Sequence, residues 1–157
     1  MSHRRGGLFC IVVGGLIAGA IDITYAIGFS AYRGVAPTRL LQSVASGLLG
    51  SAAFDGGVPI AALGLFIHFC IAFLVAAIFY IASRRLDWLT RQAVIAGLLY
   101  GIVVYAVMNL IVLPLSATPP RRSFPLVVLA TGLAVHMFGI GLPIALVVRK
   151  ASAQHRN

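Results

Sequence analysis

Two histidines, His68 and His136, stand alone inside long apolar stretches. An ionisable side chain inside an apolar span is costly to bury, so such a residue marks a functional position by default. Helical steps of three and four bring small and polar residues into line with them. One stripe runs through Gly15, Gly19, Asp22 and Ala26, and a second through Ala61, Gly64, His68, Ala72 and Ala76. A third holds Gly97, Gly101, Tyr105 and Asn109, and a fourth Gly132, His136, Gly139 and Pro143. If these stripes face one another, Asp22, His68, Tyr105, Asn109 and His136 form a polar pocket inside an apolar bundle. Counting in from the span ends, both histidines are expected roughly 15–18 Å deep. Asp22 and Asn109 are expected in an outer layer, roughly 6–9 Å deep, joined by Thr24 and Tyr25.

Three chemistries fit such a constellation. The first is a hydrogen-bonded network that fixes helix register. The second is a small-ligand, ion or proton site opening to the external side of the membrane. The third is one b-type haem with His68 and His136 as axial ligands, since bis-imidazole ligation needs two neutral imidazoles at one depth. Gly64, Gly132 and Gly139 would make room for the macrocycle, and Arg33, Arg121 or Arg122 would pair with its propionates. Enzymatic catalysis fits less well. The only acids are Asp22, Asp55 and Asp87, and no nucleophile elbow, phosphate loop or metal-ligand spacing is present. No catalytic residue and no metal site are expected. Absence of a cofactor is the primary expectation and haem b the alternative.

The elements that must position these residues are four apolar runs, about 8–28, 58–82, 91–113 and 124–148. Each is long enough to cross a hydrocarbon layer as a helix, which takes about 20 residues. Apolar residues make up 61% of the chain and the mean hydropathy is +1.03. The fold expected is all-α: a single membrane domain over 1–157, four transmembrane helices in an antiparallel bundle. The start, Arg4-Arg5 and then an apolar stretch to Ala18-Gly19-Ala20, looks like a signal peptide. The run continues to Phe29, longer than a signal core, so it reads as an uncleaved first span.

The net charge of +9 does not point to nucleic acid, because the basic residues sit at the ends of the apolar runs. They read as topology signals and lipid-headgroup contacts. Arg4, Arg5, Arg84, Arg85, Arg91, Arg149, Lys150 and Arg156 share one side, against Arg33, Arg39, Arg121 and Arg122 on the other. The richer side is expected to be cytoplasmic, with both termini there. The partners expected are membrane lipid, further copies of the chain or a larger membrane complex. Cys10 and Cys70 lie within apolar runs and read as packing residues.

The connections differ in character. Ser83–Thr90 is short and carries Trp88, an interfacial anchor, so the second and third spans are expected to be packed neighbours. Pro114, Pro119 and Pro120 are expected to end the third span. Residues 38–55 are expected to form an external amphipathic helix, with Thr38 as its N-cap and Gly56-Gly57 as its stop. Its apolar face is Leu40, Leu41, Val44, Leu48, Leu49 and Ala52, and it would lie at the interface or dip against the bundle. A tandem repeat of two hairpins is also suggested. Gly15-x-x-x-Gly19 parallels Gly97-x-x-x-Gly101, and Leu65-x-x-His68 parallels Leu133-x-x-His136.

His68 is followed by FCIAFLVAAIFY, Gly97 opens GLLYG, Pro114 to Pro120 read PLSATPP, and His136 lies early in a last span with a basic end. In these features residues 64–150 resemble the YagU-like family of bacterial inner-membrane proteins, whose biochemical activity is unassigned. The resemblance implies a four-span inner-membrane protein and supplies neither a reaction nor site residues.

Overall fold

The computed structural model of the protein describes residues 2–119 and 125–154. Pro120, Arg121, Arg122 and Arg156 lie outside the described residues, as do the side chains of Arg4 and Arg5. Among the described residues all regular structure is helical, and four helices are long and apolar enough to cross a membrane. This is a multi-pass helical bundle.

Helix α1 covers Ser2–Tyr32. It ends where Gly34 takes φ 79, with Val35 N–H donating to Ser30 O and Gly34 N–H to Ala31 O. This pair of bonds satisfies the last carbonyls, and the left-handed residue it needs suits glycine. Helix α2, Pro37–Leu49, starts with proline in its first turn, where no N–H is required. Its N-cap is Ala36 rather than Thr38, and no side chain caps it. Gly50, at φ 61, stops it earlier than expected, and Gly50–Asp55 continues as a 3₁₀ turn. Helix α3 is Gly57–Ser83, the short α4 is Trp88–Arg91, α5 is Ala93–Leu115 and α6 is Leu126–Ala153. Pro114 does not end α5. The helix passes through it because the preceding turn, Met108–Val112, widens to π geometry. A second π turn, His136–Gly141, precedes Pro143 in α6.

Glycines set the helix spacing. An added Cβ on Gly15 would strike Phe73, and one on Gly19 would strike Phe69. On Gly101 it would strike Met137 and the His136 carbonyl, and on Gly97 it would meet Leu142. In each pair the residue number falls along one helix as it rises along the other, and the residue after each histidine meets the second glycine of a Gly-x-x-x-Gly. The partners are four apart in α3 and five apart in α6, the extra residue being taken up by the π turn. That turn also moves the α6 stripe. Gly141, Ile144, Ala145 and Val148 are buried in place of the expected Pro143.

Helix α1 packs on α3 and α6, and α5 packs on α6. The second and third spans are not the packed neighbours expected: backbone approach between α3 and α5 is slight. They meet mainly through Tyr100, whose hydroxyl donates to Val75 O (2.7 Å) and whose ring stacks edge-on against Phe79. The tight core lies at the end away from α2, built from Cys10, Ala76, Phe79, Ala93, Ala96, Ile144 and Val148. Towards the α2 end α3 and α5 leave a gap. Leucines and isoleucines cover the outside of the spans, Leu110 being 75% exposed. Small residues inside and large ones outside is the pattern for helices solvated by lipid.

Helix α2 lies at one end of the gap and turns its small, polar face to the bundle. Its buried residues are Gln42, Ala45 and Ser46, while Leu48 is 70% exposed. Gly64 lets the α2 backbone approach, since a Cβ there would strike the Leu41 carbonyl. Gln42 Nε2 donates to Gly57 O (3.0 Å), and the hydroxyls of Ser43 and Ser46 bond back to Leu40 O and Ser43 O. Each polar group on this face thus has a partner, so burying it costs little. On the far side, Ala117 N–H donates to Gly47 O and links α2 to the segment after α5.

Candidate functional site

The gap between α3 and α5 is a cavity of about 660 Å³, within the usual range for small-molecule sites. Asp22, His68, Tyr105, Asn109 and His136 all line it, so the five polar residues singled out from the sequence meet at one place. They come from α1, α3, α5 and α6.

One wall carries Asp22 and His68. The imidazole Nε2 lies 2.9 Å from Gly19 O. A carbonyl only accepts, so Nε2 carries the proton and donates. Nδ1 then faces Asp22 Oδ2 at 4.0 Å, an ion-pair separation rather than a hydrogen bond. Asp22 therefore shares a layer with His68. The expected outer position fails because α1 runs on to Tyr32, ten residues past Asp22, which sets the carboxylate roughly 15 Å below that end. Thr24 and Tyr25 do not line the cavity; Tyr25 stacks on Phe29 instead.

The opposite wall carries His136, Tyr105 and Asn109. His136 Nδ1 donates to Gly132 O (2.9 Å) in its own helix, and its ring meets Tyr105 edge-on at 5.1 Å. The Tyr105 hydroxyl donates to Leu129 O (3.1 Å), tying α5 to α6. Asn109 Nδ2 donates to Tyr105 O (2.9 Å). Both histidines are thus held by backbone carbonyls, one across helices and one within its own. Haem ligation through His68 Nε2 would require that atom to leave Gly19. No group of three metal-ligating side chains occurs among the described residues.

Between the two walls the lining is aliphatic, from Ile67, Ile71, Val75, Val104 and Ile140. Ser43, Val44, Gly47 and Leu48 of α2, with Ser116 and Thr118, form the α2 end. The sequence marks none of these as a cavity residue, and gives Val44 and Leu48 only as part of an apolar helix face. The available signal was the run of small residues Ser43, Ser46 and Gly47, which allows close packing of a short helix. A smaller cleft of about 300 Å³ adjoins, sharing Ser43 and Val128 with the cavity. It holds Arg33 near the ring of Phe29 (6.0 Å) and Arg39 over that of Phe54 (4.1 Å). Arg33, expected near propionates in the haem reading, lies in this cleft and not in the large cavity.

Comparison of the chain with known protein families, curated proteins and solved structures finds no match. The reading of the site rests on its own geometry.

Proposed function

We propose that this is a bacterial inner-membrane protein that binds a small molecule in the cavity between α3 and α5 and is not an enzyme. In this reading the four spans form an antiparallel bundle, as the YagU-like resemblance also implies. Both termini are cytoplasmic, and the α2 end is external. The excess of arginine and lysine at the opposite ends supports that orientation. The outward Leu48 and Leu49 support a place for α2 at the membrane interface, with its apolar side to lipid and its polar side to the bundle.

The observation that carries the reading is the meeting of one polar residue set, drawn from four helices, on a single open cavity of ligand size. A network serving only to fix register needs no such space, because interiors close-pack where nothing is bound. Homo-oligomers or a larger membrane complex fit the exposed apolar surface equally well and leave the cavity in place.

Thiol accessibility tests it. With Cys10 and Cys70 replaced by alanine, Met108→Cys lines the cavity and Leu110→Cys faces away from the bundle. A charged, membrane-impermeant thiosulfonate applied from outside should modify the first and not the second. An unreactive Met108→Cys would reject an externally open cavity.

A further inference from the structure

Asp22 is the only acidic residue within the four spans. It lines the cavity and is 21% exposed. Among the described residues its sole partner at ion-pair distance is His68, at 4.0 Å, and no described lysine or arginine lies that close. The described arginines at this end of the bundle, Arg33 and Arg39, line the separate cleft and associate with phenylalanine rings. A carboxylate is expensive in an apolar surrounding unless a cation answers it. The remaining walls suit a particular kind of cation. They are largely aliphatic, with the Tyr105 and His136 rings opposite. An inorganic cation would have to shed its water for one carboxylate and few other oxygens, which is unfavourable. An organic cation is weakly hydrated, buries its apolar body against the aliphatic walls and sets its charge near a carboxylate and an aromatic face. Because α3 and α5 are scarcely packed together, a lipid-soluble molecule also has a way in from the side.

We propose that the cavity takes a hydrophobic monovalent organic cation, with Asp22 as its counter-ion. This rests on the ligand-binding reading above and names the class of ligand.

The test uses three probes of nearly the same shape: tetraphenylphosphonium, tetraphenylborate and neutral tetraphenylmethane. Each is measured by equilibrium binding to the full chain in zwitterionic-lipid nanodiscs, over empty nanodiscs. Saturable binding is expected for the phosphonium alone. It should weaken at least tenfold in Asp22→Asn, persist in Asp22→Glu and be blocked by the cavity-filling Ala72→Phe. Retained thermal stability of Asp22→Asn, or the behaviour of Asp22→Glu, separates loss of charge from loss of fold. Equal binding of the borate, or phosphonium binding indifferent to Asp22→Asn, overturns the cation assignment. If such binding is still blocked by Ala72→Phe, the ligand-cavity reading survives that result. Saturable binding of none of the three overturns the cation assignment, and an unreactive Met108→Cys would reject only the external opening of the cavity.

Discussion

Gly101→Ala should loosen the bundle, while Gly28→Ala, the same chemical change, should not. At Gly101 the new Cβ would lie 2.5 Å from the Met137 Cα and nearer still to the His136 carbonyl. Carbon atoms rest at about 3.5–4.0 Å, so α5 and α6 must part by about 1 Å. The obstructing atoms are backbone, and no rotamer change relieves them. Overpacking of this kind costs about 1–3 kcal/mol. Alanine also improves helix propensity by about 1 kcal/mol over glycine, at both sites alike. Nothing lies within 4 Å of a Cβ at Gly28, so only the propensity gain applies there. The difference between the two variants is therefore the packing term alone, about 1–3 kcal/mol. Gly15→Ala should fall between them, because the nearest obstruction is the ring of Phe73, which can turn. Unfolding in mixed micelles against a denaturing detergent would measure all three. Equal stability of Gly101→Ala and Gly28→Ala would refute the close approach of α5 and α6.

Tyr100→Phe removes the 2.7 Å bond to Val75 O but keeps the ring contact with Phe79. It should cost about 0.6 kcal/mol and no more than about 1.7, the range for interhelical hydrogen bonds in membranes; the same unfolding assay reads it. Reporter fusions at Asn157 and after Arg121 should report the cytoplasm and the exterior respectively, and an external signal at Asn157 would reject the proposed orientation. The purified protein should show no Soret band. A reducible band lost in both His68→Ala and His136→Ala would install haem in the cavity in place of the organic cation.

Much of this arrangement is legible in the sequence, for one physical reason: helical periodicity fixes which residues share a face before any packing is known. The stripes Gly15–Gly19–Asp22, Gly64–His68–Ala72 and Gly97–Gly101–Tyr105 run inward because only small residues admit a neighbouring backbone. Depth is less legible, because it depends on where each helix stops. Asp22 was expected in an outer layer on a span ending at Gly28; the helix continues to Tyr32 and places it beside His68. The orientation of α2 is not legible in the sequence. Its leucines mark an apolar face, but nothing local tells whether that face meets the protein or the lipid. Tertiary contact decided for the small, self-bonded face of Ala45 and Ser46.

The two prolines show how a local rule produces a non-local result. A proline inside a helix lacks an N–H and presses its ring on the carbonyl four residues earlier. Winding the preceding turn more widely is one way to accommodate it. Both spans take that course: Leu113 N–H reaches back five residues to Met108 O, and Leu142 N–H reaches back five to Met137 O. Pro114 and Pro143 follow directly. In each case a polar side chain at or near the start of the wide turn bonds the carbonyl four residues before it, Asn109 to Tyr105 O and His136 to Gly132 O. The extra residue changes the face that α6 presents beyond the turn. His136 and Gly132 line the cavity, and Gly141 still meets Gly97 where α5 and α6 touch. A uniform α-helix would carry the stripe from Gly139 to Pro143 and leave Gly141 off that face. The proline therefore does more than mark a kink. It lets one helix serve the cavity at one end and the tight core at the other, and it accounts for why the α6 stripe read from sequence holds up to Gly139 and fails beyond it.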